Sequence, residues 1–164
     1  MTQIEILAAV EEIKKLMAKR IRCMDLKNWE EYDSCHTDDA TSNSYGEVPE
    51  HLRPSGGGIA RGKAEILAMI RRIVDGPIKV TSIHHAHQPE IDILSPTEAK
   101  GVWVLEDRFW WMNGGVEESF HGFGHYHETY RRIDGQWFIS ARTVTRTRVT
   151  TTPNYYDYYR RPGN

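Results

Sequence analysis

Three histidines lie close together in the middle of the chain, within the segment 82–90 (SIHHAHQPE). Imidazole titrates near ~6.5, so it can take up or release a proton at neutral pH. Side chains alternate between the two faces of a strand, so we expect His84 on one face and His85 and His87 on the other. A lone histidine on a strand is more often structural than catalytic. Three within four residues favour a general base on one face and a structural role on the other.

An aspartate interrupts a row of apolar side chains in the segment 99–112. With a period of two, one side of this predicted strand carries Trp103, Leu105, Asp107, Phe109 and Trp111. An aspartate in such a row either pairs with an arginine in a structural role or faces a cavity. In a cavity, desolvation raises its pKa and suits it to proton transfer or to the stabilisation of a cation. The row alone leaves both interpretations open.

A metal site is the main alternative chemistry. His125 and His127 repeat the same-face spacing of His85 and His87, and imidazole is a common ligand of zinc, iron and copper. No carboxylate follows at the spacing expected of a cupin-like site, because Glu128 is adjacent to His127 and points the other way. The sequence therefore favours a site without metal, and no cofactor motif is recognised.

Three arginines alternate with threonines near the end of the chain. Arg142, Arg146 and Arg148 are predicted to share one side of a strand. They form either a solvated ladder of ion pairs or, if one points inward, a group that binds an oxyanion or holds a catalytic carboxylate.

Helices that could position these residues are predicted in the first half of the chain. Apolar residues recur at steps of three and four from residue 6 to about residue 26, which predicts an amphipathic helix with Asp25 at its end. A second, short helix is predicted at 28–35, where Asn28 is an N-cap followed three residues later by Glu31. A third is predicted at 62–74, before the breaker pair Gly76-Pro77.

Strands dominate the second half. They are predicted at 40–45, 79–87, 90–94, 99–112, 117–133 and 137–149, with Asp134-Gly135 as a hairpin turn. Helices followed by long antiparallel strands predict an α+β fold, in which the helices cover one face of a strongly curved sheet.

Bulk properties limit the classes of function. A length of 164 residues, 39% apolar and 27% charged, indicates one globular domain without a membrane span. A net charge of −2 argues against binding to nucleic acid, and two cysteines are too few for a disulfide framework. The first segment carries Glu5, Glu11 and Glu12 among its apolar residues and has no small-residue cleavage site, so it does not resemble a signal peptide and we expect a cytoplasmic protein. Five Trp, eight Tyr and four Phe could line a cavity for a small molecule.

The domain is predicted to span residues 1–149, followed by a tail at 150–164. The tail has no clear periodicity and contains four tyrosines, Tyr155, Tyr156, Tyr158 and Tyr159. It is either disordered or an arm on a neighbouring subunit, and the tyrosines favour the arm.

Several motifs together resemble a known family. They are RCMD at 22–25 before Trp29, IHHAHQPEI at 83–91, LEDR at 105–108 and IDGQW at 133–137. In this order and spacing they resemble the SnoaL-like branch of the nuclear transport factor 2 superfamily, over about residues 11–149. Within that branch the chain is most similar to bile acid 7α-dehydratase, and more distantly to hexachlorocyclohexane dehydrochlorinase and scytalone dehydratase.

This resemblance implies a cone-shaped α+β fold around a deep pocket, with no metal and no organic cofactor. It implies that His84 is a base paired with Asp25, that Asp107 is a second pocket carboxylate and that Arg146 is a pocket arginine. At the position of a family tyrosine this chain has Arg20, a permanent cation that suits an anionic or phenolate-bearing ligand. The resemblance and the tyrosine-rich tail favour a homotrimer, with a dimer as the alternative.

The expected function is a cofactor-free lyase that eliminates water or a related group from a polycyclic or aromatic molecule. Two alternatives stay open: a retro-aldol lyase that releases a small aldehyde such as formaldehyde from an aryl diol, and a non-catalytic carrier of a small ligand. The catalytic residues are expected to be His84, Asp25, Asp107 and Arg146. The residues expected to contact substrate are Arg20, Trp103, Phe109, Trp111, Phe123 and His125, with the loop 46–61.

Overall fold

The computed structural model describes residues 1–44 and 58–157. Its helices are α1 (Gln3–Asp25), α2 (Trp29–Asp33) and α3 (Lys63–Asp75). All three lie where the sequence predicts them. In the described residues, no helix combines the length and the apolar character that crossing a membrane requires.

Helix α1 begins and ends with clear signals. Thr2 and Glu5 form a capping box at its start, in which the Thr2 hydroxyl accepts from the Glu5 N–H and the Glu5 side chain accepts from the Thr2 N–H. The helix ends at Asp25, and Lys27 follows with a positive φ of 60° that turns the chain away from the helix axis. Its buried face includes Ile13, Met17 and Met24 but also the charged Arg20.

Six strands form one mixed sheet. They are β1 (His36–Asn43), β2 (Ile59–Arg61), β3 (Thr81–Ile93), β4 (Glu98–Asn113), β5 (Val116–Ile133) and β6 (Gln136–Thr151). Their order is β2-β1-β6-β5-β4-β3, and every neighbouring pair is antiparallel except β1 and β6. The sheet is curved and does not close, and the expected α+β fold of the NTF2 type is confirmed.

Strand boundaries differ from the prediction in four places. Strand β1 spans His36–Asn43, whereas the first strand was predicted at 40–45. The two short strands predicted at 79–94 are one strand, β3, with a register shift between Ala86 and Pro89, since proline has no N–H to donate to the ladder. The three residues of β2 were not predicted. Strand β6 continues to Thr151, so it includes the first residues of the predicted tail.

The start of the tail packs on its own chain. Tyr155 is buried, and its ring lies 5.3 Å from the ring of Phe120 on β5. Tyr155 is thus packed on its own chain, while the contact of the tail with a neighbouring subunit stays a prediction. Tyr158 and Tyr159, and most of the predicted loop 46–61, lie outside the described residues.

The faces of the long strands determine which residues can meet. His84 on β3 pairs with Asp107 on β4, and Asp107 pairs with Gly122 on β5, so these three residues lie side by side on one face. This face carries the buried side chains that pack against the helices, and we call it the inner face. His85, the partner of Glu106, lies on the opposite, outer face.

Candidate active site

The last residue of α1 contacts a histidine of β3. Asp25 Oδ1 lies 2.6 Å from His84 Nδ1, and Asp25 Oδ2 accepts a hydrogen bond of 2.9 Å from the backbone N–H of His84. The His84 side chain is 5% exposed and that of Asp25 is 21% exposed. Within residues 1–44 and 58–157, the other ring nitrogen, Nε2, has no hydrogen-bond partner. The contact therefore leaves Nε2 available for a ligand.

Asp25 occupies an unfavourable position for an acidic residue. The C-terminal end of a helix carries partial negative charge, which destabilises a carboxylate there. The donors gathered around Asp25 offset this cost. Burial acts to raise its pKa, but the hydrogen bond and charge of His84, the His84 backbone N–H and the Ser82 hydroxyl together lower that pKa. An acidic residue at the C-terminal end of a helix is locally unfavourable, and such exceptions are common at functional sites.

Two further residues, not predicted from the sequence, extend this contact. The hydroxyl of Ser82 donates to Asp25 Oδ1 at 2.9 Å, and Lys27 Nζ donates to that hydroxyl at 3.1 Å. Burial lowers the pKa of Lys27. Ser82 could have been found by the period of two, because it precedes His84 on the same face of β3.

Removal of the Ser82 hydroxyl should raise the pKa of Asp25. In Ser82→Ala the carboxylate loses one of the donors that stabilise its charged form, so we expect the pKa to move toward the ordinary aspartate value. The carboxyl carbon shift of Asp25, followed by NMR during an acid titration, measures it. Ser95→Ala, at a half-buried serine in the loop between β3 and β4, is the matched control. An unchanged Asp25 titration in Ser82→Ala would contradict the role given to this hydroxyl.

An ion pair lies beside the two residues. Arg146 Nη1 and Nη2 donate to Asp107 Oδ1 and Oδ2, both at 2.6 Å, in a bidentate arrangement. The side chains are 16% and 3% exposed. Both oxygens of Asp107 thus accept from a guanidinium, as in an ionised carboxylate. Of the two interpretations that the apolar row left open, the structure shows the pairing of Asp107 with an arginine.

The ion pair requires a glycine beneath it. A Cβ at Gly122 would lie 2.5 Å from both Arg146 Nη1 and Asp107 Oδ1, and 2.7 Å from the ring of Phe120. Real Cβ atoms do not approach other heavy atoms so closely. Gly122 therefore allows the bidentate pair to lie against β5.

Gly122→Ala should displace the ion pair and destabilise the fold. Overpacking of this kind costs about 1–3 kcal/mol of unfolding free energy, because neighbouring groups must move. Urea unfolding measures the loss, and a crystal structure shows whether the distance from Arg146 to Asp107 lengthens. Gly101→Ala is the comparison, since its Cβ would meet its nearest atom at 3.3 Å and should cost less. Equal stability of Gly122→Ala and wild type would refute this packing account.

Aromatic rings complete this part of the inner face. The ring of Phe109 lies 5.2 Å from that of His84 and 5.3 Å from that of Phe120. Trp111 is buried in the same cluster of side chains. Phe109 and Trp111 thus lie beside the candidate site, and their contact with a substrate stays a prediction. Phe120 and Tyr155 were missed, although Phe120 is one of the alternating residues of β5.

Arg20 and Trp103 belong to a second group of inner side chains. Arg20 is fully buried, and its Nη2 donates to the hydroxyl of Tyr32 at 3.2 Å. The indole N–H of Trp103 donates to the hydroxyl of Tyr130 at 2.8 Å. Neither residue has a hydrogen bond to Asp25 or His84 within the described residues.

Two predicted substrate contacts lie on the wrong face. Phe123 pairs with Glu106 and His125 pairs with Val104, which places both on the outer face. The ring of Phe123 contacts the ring of His121 there at a tilted angle, with ring centres 4.3 Å apart. Phe123 and His125 each follow a glycine of the inner face by one residue. Because side chains alternate along β5, both therefore lie on the outer face. We do not include Phe123 and His125 in the candidate site.

The three arginines of β6 do not share one side. Arg142 is buried and Arg146 half-buried, whereas Arg148 is exposed. A register shift between β5 and β6 pairs Arg146 with Gly124 but Arg148 with Phe123, skipping Thr147. Such a bulge interrupts the alternation on which the prediction depended.

The paired histidines lie apart from the candidate site. His85 and His87 stack on the outer face with ring centres 5.9 Å apart, while His127 contacts the hydroxyl of Thr145. In residues 1–44 and 58–157, no group of three or more His, Cys, Asp or Glu side chains has the arrangement of a metal site.

Comparison with known families identifies the domain. The profile of the SnoaL-like domain matches residues 5–143, which is most of the chain. This chain is a SnoaL-like domain. The recognition made from the sequence motifs is thus confirmed.

Relatives of this SnoaL-like domain include proteins with enzyme names. "Probable cyclase FGR4" of Gibberella zeae is 26% identical over 149 residues, which cover 85% of this chain and 90% of that protein. The structure of a "Putative Scytalone Dehydratase" from Novosphingobium aromaticivorans has a TM-score of 0.75 at 21% identity and covers 91% of each chain. A hexachlorocyclohexane dehydrochlorinase from Novosphingobium barchaimii has a TM-score of 0.76 at 18% identity, covering 93% of this chain and 95% of that one. The solved structures support the shared fold.

Proposed function

We propose that this SnoaL-like domain is a lyase that eliminates water, or a related group, from a polycyclic or aromatic small molecule. The observation that carries the proposal is the 2.6 Å contact between Asp25 Oδ1 and His84 Nδ1. A carboxylate so placed holds the Nδ1 proton, and the neutral ring then presents the lone pair of Nε2 as a base. The names of the relatives support this class, since they include a dehydratase and a dehydrochlorinase.

In the proposed reaction His84 Nε2 removes a proton from a carbon of the substrate while the bond to the adjacent leaving group breaks. The charge of Asp25 stabilises the imidazolium that results. The imidazolium then gives this proton to the departing hydroxide, so that the net products are the alkene and water and His84 is neutral again. Phe109 and Trp111 pack near this position and exclude water from the base.

The ion pair of Asp107 and Arg146 is proposed to hold the leaving group. Asp107 is the cross-strand partner of His84, so a ligand at the imidazole is also beside this carboxylate. A carboxylate bound by arginine can still accept a hydrogen bond from a substrate hydroxyl. The positive guanidinium stabilises negative charge that develops on the departing oxygen. Their role is thus to orient the leaving group.

Product analysis tests the reaction class. The purified protein is incubated with a panel of aromatic and steroid-like alcohols, and the products are identified by mass spectrometry. Loss of water with every carbon retained supports the proposal. Release of formaldehyde would show carbon–carbon cleavage and overturn it in favour of the retro-aldol alternative. Binding without turnover anywhere in the panel would overturn it in favour of a carrier.

A further inference from the structure

A second polar group lies on the inner face, formed by Arg20, Tyr126, Glu128 and Arg142. We call it the arginine cluster. The guanidinium of Arg142 lies over the ring of Tyr126 with its centre 4.2 Å from the ring centre, and that of Arg20 lies at 5.8 Å. All four side chains are buried. Helix α1 supplies one cation, β6 the other, and β5 the residues between them.

Several polar atoms of the cluster lack a hydrogen-bond partner in the described part of the chain. They are Nε and Nη1 of Arg20, Nε of Arg142, the hydroxyl of Tyr126 and Oε1 of Glu128. Arg142 Nε is 3.8 Å from Glu128 Oε1, which is too long for a hydrogen bond. Buried donors without acceptors are costly, so four donor groups in one cluster call for an explanation.

The charges of the cluster do not balance. Two guanidiniums face one carboxyl, so the cluster is positive whether or not Glu128 is ionised. Burial raises the pKa of Glu128, and its Oε2 already accepts the hydroxyl of Tyr130 at 2.6 Å. Although burial lowers the pKa of Arg20, its interactions with Tyr32 and Glu128 raise it overall. His36, which also interacts with the charge of Arg20, is neutral because burial and that charge lower its pKa to about 3.

Tyr126 connects the arginine cluster to the candidate active site. Burial raises the pKa of Tyr126, the charge of Asp107 raises it further, and Arg20 and Arg146 both lower it. Its side chain is thus within electrostatic reach of the ion pair and of the cluster. Gly122 and Gly124 precede Tyr126 on the same face of β5. Because glycine has no side chain, β5 places none between Tyr126 and the ion pair of Asp107 and Arg146.

We propose that the arginine cluster binds a carboxylate of the substrate, so that the enzyme acts on an aromatic acid. A carboxylate supplies the missing negative charge, and its oxygens can accept from the unpartnered donors of Arg20, Arg142 and Tyr126. The choice of substrate class rests on the proposed function. The binding of an anion at this cluster does not, and can be tested without turnover.

Calorimetric titration with benzoate, and with the neutral and nearly isosteric benzamide, tests the proposal. We expect the wild type to bind benzoate at least about tenfold more tightly than benzamide, since the amide lacks the negative charge and offers one acceptor oxygen in place of two. Arg142→Met should remove this preference while benzamide binding is unchanged. Arg148→Met, at an exposed arginine of the same strand, should keep the preference.

Each outcome of these titrations either supports or overturns the binding of a carboxylate by the arginine cluster. Equal binding of the two probes by the wild type, or no binding of either, overturns it. A preference for benzoate that persists in Arg142→Met also overturns it, because the anion would then lie elsewhere, for example at Arg146. Should Arg142→Met not fold, the wild-type comparison and Arg20→Lys, which keeps the charge but loses donors, still decide. His84→Ala should retain the benzoate preference, which separates this proposal from the proposed reaction.

Discussion

His84→Ala is expected to reduce turnover by at least ~10²–10⁴-fold, the contribution of a positioned general base. The imidazole is the group that removes the proton in the proposed reaction, and the variant leaves Asp25 without its ring partner. Steady-state kinetics on a substrate found by the product panel measures the loss. Circular dichroism and thermal unfolding establish that the variant is folded.

The neighbouring histidine supplies a matched control. His85 is exposed on the outer face of the same strand, so His85→Ala removes an imidazole without touching the candidate site. It should retain wild-type kinetics. A folded His84→Ala protein with wild-type turnover would remove His84 from the mechanism. Loss of turnover in both variants would point to an effect on the strand.

Asp25→Asn is expected to reduce turnover by a comparable factor through the tautomer of His84. In place of a carboxylate that accepts the Nδ1 proton, an amide N–H2 would donate to Nδ1 and move the ring proton to Nε2. The base would then carry a proton where it must accept one. The same substitution in a serine protease triad costs about 10⁴-fold in kcat, which sets the scale. Steady-state kinetics of the variant measures the loss of turnover. Nitrogen NMR of the imidazole shows which ring nitrogen of His84 carries the proton.

The same variant should lose stability in a pH-dependent way. The pKa of Asp25 is lower in the folded protein than its ordinary value, so its charge stabilises the fold above that value, and this stability is lost as pH falls through the folded pKa. Urea unfolding should therefore show Asp25→Asn as less stable than wild type at neutral pH, with a smaller difference in acid. Asp92→Asn, at an exposed residue paired with Lys100, is the control. Wild-type turnover of Asp25→Asn would show that His84 needs no carboxylate.

The two proposals together predict that different residues of the inner face carry out the chemical step and bind the charged group of the substrate. Asp25 and His84 act on the bond that breaks, while Arg20 and Arg142 hold a charged group at a distance from it. Binding energy from a non-reacting part of a substrate can position the reacting part. Arg142→Met is therefore expected to weaken substrate binding more than it slows the chemical step.

The type and order of most elements could be predicted because local patterns carry them. The amphipathic period of α1, the alternation along β4 and β5, and the Asp134-Gly135 turn each depend on neighbouring residues. In the structure that turn has φ of 48° and 81°, the left-handed values of a tight hairpin. Strand β2 has three residues and no pattern of its own, so only its pairing with β1 defines it.

The sequence by itself determined the α+β fold, the family, and the placement of His84 and Asp107 on faces opposite their neighbours, because these follow from periodicity and from motifs in order. Only the tertiary structure decided that Ser82 and Lys27 extend the contact of Asp25 with His84. It also decided that Arg146 binds Asp107 against Gly122. Likewise, it decided that Arg142 and Arg20 both lie near the ring of Tyr126. It also placed Phe123 and His125 on the outer face, and it placed Arg148 on a different side of β6 from Arg142 and Arg146. The physical reason is that a bulge or a one-residue offset reverses the face of a side chain without changing the local sequence pattern. Contacts between residues far apart in the chain depend on register, which the alternation of a single strand does not encode.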